Sequence, residues 1–191
     1  MDIDGAALDE IANSRFSKIV YTMVTLTSGI SNGVGVFGQR LLFVLPQGAV
    51  DSGPLPPAAN SPVTTLRTGA PGPVDLMPCG TDACWLDEGV NAMMRIDPAG
   101  GSIAVMPLPT ALSQPLDVAF DGADFYVIGS RSSGTTELLG RMTSDGSTSS
   151  IIATMPANGG GSVAVDDECV YWQKALGIFS LAKTAEGPFA Q

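Results

Sequence analysis

The amino-acid sequence predicts an all-β fold, a β-propeller of about five four-stranded blades. A similar local pattern recurs along the chain at spacings of 34 to 45 residues. The 191 residues include 23 glycines and 14 prolines, a density of turn-forming residues that argues against a helix bundle. Helical periodicity is missing apart from residues 8–13, which align with second strands of the other units and are interpreted as a strand. Because one four-stranded sheet cannot bury both faces alone, such units stack face to face around an axis.

The repeated unit consists of an apolar strand, a turn with acidic residues or glycine, and a strand with aromatic residues. Its three clearest copies cover residues 73–87, 115–127 and 162–172. The equivalent residues Leu76, Phe120 and Val165 are 44 and 45 positions apart. Weaker copies at 1–5 and 33–44 precede them. This regular spacing indicates one continuous array of blades.

In chain order, a single propeller domain over residues 1–191 divides into five predicted blades. Their approximate bounds are 1–30, 31–72, 73–113, 114–159 and 160–191. Third and fourth strands are predicted at 15–21 and 24–27, at 91–96 and 103–106, and at 138–142 and 151–154. The Pro-, Gly- and Ala-rich segment 48–62 is interpreted as a long inter-strand loop of the second predicted blade.

The ends of the array predict an open, incomplete ring or a fragment of a larger propeller, with a strained five-bladed ring as the alternative. The first unit begins with its inner strand, so no spare N-terminal strand is expected to complete the last blade. The last unit reads as three strands from Val163 to Leu181, and 188–191 is too short for a normal fourth strand. An open arc leaves apolar blade surface in water, so self-association through the open blade edges is expected.

Two stretches resemble units of NHL- or YWTD-type bacterial propellers. One runs from Trp85-Leu86-Asp87-Glu88-Gly89 to Ile96-Asp97-Pro98-Ala99-Gly100-Gly101, and the other runs from Val163-Ala164-Val165-Asp166 through Tyr171-Trp172 to Ile178–Lys183. The resemblance covers most of the chain, and its motifs match the family patterns only in part. It implies the propeller fold and an extracytoplasmic location. Propellers of this kind include protein-binding, carbohydrate-binding and a few enzymatic members, so the resemblance does not choose a function.

Charge and composition exclude several kinds of chemistry. Nineteen acidic and nine basic residues give a net charge of −10, and nucleic-acid affinity depends on Lys and Arg that neutralise phosphates. We therefore expect no nucleic-acid partner. The chain has no histidine, which excludes Ser-His-Asp and Cys-His nucleophile systems and imidazole-ligated zinc.

The sequence also predicts no membrane span, because its apolar stretches are far shorter than the ~20 residues that a spanning helix needs. The N-terminus is acidic and lacks the basic and apolar regions of a signal peptide. Two locations stay open on the residues alone: the cytoplasm, or an exported protein whose signal lies outside this chain.

Asp75 and Asp117 are the candidate ligand-binding residues. Both follow a Pro-Val or Pro-Leu pair at the start of a predicted inner strand, which places them near the propeller axis. Their carboxylates could face a ligand or cation in the channel, or could cap turns by accepting backbone N–H bonds. Calcium is the one cofactor left open. No metal-binding set and no catalytic residue is assigned.

Cys79 and Cys84 could form a disulfide. A four-residue hairpin loop between them would bring them opposite each other, within bridging distance. A reduced thiol pair is the alternative, and Cys169 is left over.

Three other motifs receive structural interpretations. Gly33, Gly35 and Gly38 match the spacing of a dinucleotide-binding loop, but a predicted strand follows instead of a helix. The N-terminal acids lack the ligand spacing of an EF-hand, since Ala6 stands at a ligand position. Four aromatic residues recur in the second strand of their blades, where packing between blades is expected ahead of sugar stacking: Trp85, Tyr126, Tyr171 and Trp172.

The function predicted from the sequence is a non-catalytic binding or scaffold module that presents loops to a protein or carbohydrate ligand. Two alternatives stay open. One is a carboxylate-dependent lyase or hydrolase that acts near the axis through Asp75 and Asp117. The other is a truncated copy without independent activity.

Overall fold

A computed structural model describes residues 33–45, 48–55, 62–68, 73–131, 133–157, 161–174, 177–185 and 189–190. Within these ranges all regular structure is β-strand. The strands are β1 Gly33–Phe37, β2 Arg40–Val44, β3 Val50–Pro54, β4 Thr64–Arg67, β5 Pro73–Cys79, β6 Asp82–Asp87, β7 Ala92–Ile96, β8 Ala104–Pro107, β9 Gln114–Phe120, β10 Asp124–Ser130, β11 Thr136–Thr143, β12 Ser149–Pro156, β13 Val163–Val165, β14 Cys169–Lys174, β15 Gly177–Ala182 and β16 Phe189–Ala190. The expected strands before residue 33, and with them the first predicted blade, lie outside the described residues.

The strands form four sheets, each an up-and-down antiparallel meander in chain order. Sheet A contains β1–β4, sheet B contains β5–β8, and sheet C contains β9–β12. Sheet D contains only β13–β15, as predicted for the last unit. The short C-terminal strand β16 pairs in parallel with β12 and so joins sheet C instead of sheet D.

The sheets stack in the order of the chain. Inner strand β1 packs on β5, β5 on β9, and β9 on β13. The structure is thus the all-β, propeller-like arrangement that the sequence predicts, and this order of stacking is consistent with an open, incomplete ring.

Each junction between sheets is filled by its own apolar cluster. Trp85 fills the A–B junction with Leu42 and Met94, and Trp172 fills the C–D junction. The B–C junction contains the buried Cys84 among apolar side chains. Complete burial of one large apolar side chain contributes about 1.5–3 kcal/mol, so the stacking of sheets stabilises each sheet.

One expectation about sheet A is wrong. Residues 48–62 were expected to form a loop, but Val50–Pro54 forms β3 between β2 and β4. The Val-Asp-Ser-Gly-Pro sequence has low strand propensity. Its backbone groups are nevertheless paired on both sides, and Val50 and Ser52 are fully buried, so tertiary pairing overrides local propensity here.

Candidate functional site

The inner strands of sheets B and C carry the two predicted acids at irregular points of their ladders. In β5, Asp75 and Leu76 lie between the paired residues Val74 and Met77, where the register shifts. In β9, Asp117 pairs with Ile128 and Pro115 pairs with Gly129, and the register shifts between these two pairs. Such bulges bend a strand and redirect its side chains, and here they affect adjacent inner strands at both acids.

Gly129 permits the β9 irregularity. A Cβ atom at this position would lie 2.5 Å from the carbonyl oxygen of Gln114 and 2.8 Å from the Cα of Pro115. A side chain would therefore clash with the neighbouring backbone, and only glycine allows β9 and β10 to approach this closely.

Asp75 has a left-handed backbone conformation, with φ of 53°. Non-glycine residues adopt this region rarely, and aspartate is one of the residues that tolerate it. The residue is exposed overall, and the Asp117 carboxyl group is near enough to contribute to the raised pKa of its carboxyl group. The structure therefore brings together the two acids that the sequence singled out.

Asp117 also connects sheets C and D. Its Oδ1 accepts the Val118 backbone N–H at 2.9 Å, and its Oδ2 accepts the Val163 backbone N–H at 2.7 Å. Val163 begins β13, so this carboxylate fixes the inner strand of sheet D beside that of sheet C. Asp117 thus accepts backbone N–H bonds, but from its own strand and from the next sheet, and not from a turn.

The carboxyl group of Asp75 changes its charge within the acidic pH range. Partial removal of water by the surrounding protein, together with the nearby Asp117 and Glu88 carboxylates, raises the pKa of Asp75 to about 6. Below that pH a protonated Asp75 can donate to Asp117. Above it Asp75 is charged, and a cationic group would relieve its repulsion by the neighbouring Asp117 and Glu88.

A second set of acids, which the sequence analysis did not recognise as a motif, closes the first hairpin of sheets C and D. Asp121 Oδ2 accepts the Tyr126 hydroxyl at 3.2 Å, and Asp166 Oδ2 accepts the Tyr171 hydroxyl at 2.8 Å. In each case Oδ1 accepts two backbone N–H groups of the turn. The sequence feature that could have revealed this motif is the Asp-to-Tyr spacing of five residues, which recurs in both hairpins.

The pKa values of these side chains follow from the contacts. Burial alone would raise the pKa of Asp121, but bonds from Lys183, Asp124 and Ala123 lower it to about 2. Burial and the Asp121 charge raise the pKa of Tyr126 to about 12. These groups therefore hold one charge state over a wide pH range and act as structural contacts.

Sheet B replaces the Asp–Tyr contact with a disulfide. Cys79 and Cys84 also stand five residues apart, at the equivalent place in the hairpin, and their Cα atoms are 5.8 Å apart in the bridge. The proposed proximity is confirmed, but the expected four-residue loop is wrong. Cys79 pairs with Asp82, so the turn has two residues, and the bridge crosses the ladder diagonally because Cys84 pairs with Met77.

The aromatic residues mostly fill junctions between sheets. Trp85, Tyr126 and Trp172 are buried in the apolar clusters, whereas Tyr171 is only partly buried on the other face of sheet D. A sugar-stacking surface of these four residues is therefore absent. Gly33–Gly38 forms β1 and the start of a hairpin turn that leads into β2, which excludes the strand-to-helix geometry of a dinucleotide site.

Three further features of the described residues concern metal ions, membrane spans and pockets. Within the described ranges no cluster of three Cys, Asp or Glu residues could hold a metal ion. No helix there is long and apolar enough to span a membrane. A groove of about 420 Å³ beside β12 is lined by uncharged residues such as Pro109, Thr110 and Ser150.

Comparisons with known proteins support the fold. No family model and no curated protein matches the chain. A chain in the crystal structure of a nidogen/laminin complex is similar at a TM-score of 0.54 and 11% identity, over 81% of this chain and 76% of that one. The computationally designed Ika4 protein gives 0.58 and 10%, over 82% and 92%. Apo AztD from Citrobacter koseri gives 0.54 and 18%, over 81% and only 44%.

Proposed function

We propose that this chain is a non-catalytic binding module that receives a cationic group of a protein ligand at the axial acid pair, Asp75 and Asp117. The observation that carries the proposal is the convergence of these acids from two blades at the inner strands. A similar fold occurs in a nidogen/laminin complex, which supports a protein ligand ahead of a carbohydrate. A lysine or arginine side chain is the cationic group that a protein ligand would supply.

The protonation state of Asp75 makes the proposed binding dependent on pH. Two charged carboxylates attract a cation more strongly than one. Since the pKa of Asp75 is raised to about 6, we expect binding to strengthen as the pH rises through 6. The lysine or arginine would then take the place of the Asp75 proton.

The test measures binding of a fluorescent lysine- and arginine-rich peptide at pH 5 and pH 8. Asp75→Asn should remove the increase in affinity at pH 8, whereas the exposed Asp167→Asn, which makes the same change of charge, should retain it. Calcium and a glycan array are the comparison probes. Equal peptide binding by the wild type and Asp75→Asn at both pH values would contradict the proposal.

We infer the carboxylate-dependent lyase or hydrolase as the second candidate, because the raised pKa of Asp75 suits a general acid. Both Asp117 oxygens accept backbone N–H bonds, which disfavours Asp117 as a base or nucleophile. Turnover of a polysaccharide substrate that Asp75→Asn abolishes, and Asp167→Asn does not, would favour the enzyme.

We also propose an oxidising, extracytoplasmic compartment for the chain. The Cys79–Cys84 bridge supports this location because disulfides persist mainly in such compartments. Thiol alkylation of the protein in cells, followed by mass spectrometry, would test it, and a fully alkylated pair would contradict it.

A further inference from the structure

Sheet D is one strand short of the other three sheets. Sheets A, B and C each have a fourth strand, whereas the described part of sheet D ends on β15. The next strand along the chain, β16, pairs with β12 of sheet C. Among the described residues, therefore, no strand pairs with the outer edge of β15.

The backbone of β15 directs hydrogen-bonding groups to this open edge. The Lys183 N–H donates to the Glu168 carbonyl at 2.9 Å, which identifies the hydrogen-bonded pairs of the β14–β15 register. Such pairs alternate with non-hydrogen-bonded pairs along an antiparallel ladder, so Ile178, Ser180 and Ala182 point their N–H groups away from β14. The carbonyls of Ile178 and Ser180 point the same way. The edge thus offers alternating donors and acceptors to a further strand.

β15 also lacks the features that protect the other outermost strands. Natural edge strands carry charges, prolines or bulges that prevent pairing with another chain. β4 ends on Arg67, β8 has only four residues and ends on Pro107, and β12 is covered in part by β16. β15 has six residues, Gly-Ile-Phe-Ser-Leu-Ala, and pairs with β14 without a register shift. An uncharged, regular edge of this kind indicates a pairing site.

The side of β15 that faces sheet C leaves apolar surface for an added strand to cover. Phe179 stacks on Trp172 with ring centroids 6.0 Å apart. Phe179 and Leu181 pack against the C–D cluster but remain partly exposed. In sheet C the fourth strand packs Ile151 against the B–C cluster. A fourth strand in sheet D would make the same contact with apolar side chains at every second position.

One end of the open edge is acidic. The turn formed by Asp166, Asp167 and Glu168 is exposed, and the Lys183 N–H bond holds it level with the end of β15. The Lys183 ammonium is paired with Asp121 at 2.6 Å, so the turn keeps its acidic character. An antiparallel added strand would begin beside this turn, where basic residues that precede it would meet the acids.

We propose that β15 binds an extended peptide segment of a partner protein, which adds as the antiparallel fourth strand of sheet D. The segment matches the six residues of β15, with apolar side chains at alternate positions and lysine or arginine just before the first. A second copy of sheet D does not fit this edge, because antiparallel joining of two identical sheets places both copies of sheet C on one side, where their outer strands overlap. The site is separate from the axial acids and does not depend on the function proposed for them.

The test measures binding of two fluorescent peptides to the full chain by anisotropy. The first peptide is Lys-Arg-Val-Thr-Ile-Thr-Val-Thr, and the control peptide has proline at both central positions. The wild type should bind the first peptide at least about tenfold more tightly. Ser180→Pro should remove this preference, because it deletes an N–H of the open edge and no bond to β14. Val105→Pro, the corresponding change at the outer edge of β8, should keep it.

Amide exchange measured by NMR on the wild type locates the added strand, and it stands even where a proline variant does not fold. The first peptide should slow exchange of the Ile178, Ser180 and Ala182 amides at least about tenfold. Equal binding of both peptides, with unchanged exchange in β15, would overturn the proposal. So would dimers that Ser180→Pro dissociates, because a second copy would then occupy the edge. Slow exchange of the same amides without peptide would also overturn it, because the chain itself would then cover them.

Discussion

At the level of single residues, the position of Asp75 combines three properties that support each other. Its left-handed backbone, its place in a bulge and its proximity to Asp117 distinguish it from the other residues of β5. Strained backbone and perturbed pKa values concentrate at functional sites. The combination is the reason that the proposed binding role is assigned to Asp75.

The first prediction concerns the pH dependence that Asp75 gives to stability. Its pKa is about 6 in the folded chain, against 3.8 when unperturbed. The favourable contribution of the protonated group is therefore complete below 3.8 and is lost as the pH rises through 6. Asp75→Asn, which does not titrate, should match the wild type in melting temperature near pH 4 and exceed it at pH 8.

Thermal melts from pH 4 to pH 8 would check this difference, with Asp167→Asn as the variant of equal charge. A constant offset between Asp75→Asn and the wild type over the whole range would show that Asp75 does not titrate within it.

A second residue-level prediction concerns the disulfide of sheet B. Cys79→Ser/Cys84→Ser should lower the free energy of unfolding by about 2 kcal/mol, the chain-entropy value for so short a loop. Urea unfolding with and without a reductant would measure it. Cys169→Ser keeps the bridge and should remain sensitive to the reductant, while the double variant should lose that sensitivity.

At the level of elements, equivalent positions of the hairpins and junctions are occupied by different residue types in different sheets. The first hairpin is closed by a disulfide in sheet B and by an Asp–Tyr bond in sheets C and D. At each junction a side chain donates a hydrogen bond to a backbone carbonyl of the next sheet, from Ser52 at A–B and from Arg95 and Arg141 at B–C and C–D. The positions are thus set by the stacking of sheets, and several residue types satisfy them.

The third prediction tests the A–B junction. Ser52 is fully buried, accepts a bond from Arg40 Nε at 2.7 Å and donates to the Pro98 carbonyl. Ser52→Ala should lower the free energy of unfolding by about 1–3 kcal/mol, because it leaves buried polar groups unpaired. The same substitution at the exposed Ser102 should change it little. Chemical denaturation would compare them, and equal losses would contradict the structural role of Ser52.

At the level of the whole molecule, the four described sheets contact one another in chain order, A with B, B with C and C with D. Sheets B and C are each packed between two sheets, whereas sheet D has a described neighbour only on the side of sheet C. In such arrays stability is the sum of each repeat and its interfaces. The last sheet should therefore open more readily than the middle ones.

The fourth prediction follows from this difference. Backbone amides of β6, β7, β10 and β11 should exchange with deuterium more slowly than those of β14 and β15, at a concentration where the chain is monomeric. Hydrogen-exchange mass spectrometry would resolve the segments. Equal protection of all four sheets would indicate one cooperative unit instead.

The sequence by itself predicted the class of fold and most of its strands, because period-two apolar patterns and turn residues are local signals that survive in any context. Its regular spacing also located Asp75 and Asp117 on inner strands. It missed β3, since the Val-Asp-Ser-Gly-Pro segment becomes a strand only when neighbours on both sides pair with it.

Only the tertiary structure decided how these residues meet. It placed the Asp75 and Asp117 carboxyl groups near each other, gave Asp117 a bond to Val163, and moved β16 to the edge of sheet C. It also set the junction bonds between residues more than 40 positions apart. Such contacts depend on the distance between sheets and on the bulges that orient side chains, and a one-dimensional pattern contains neither quantity.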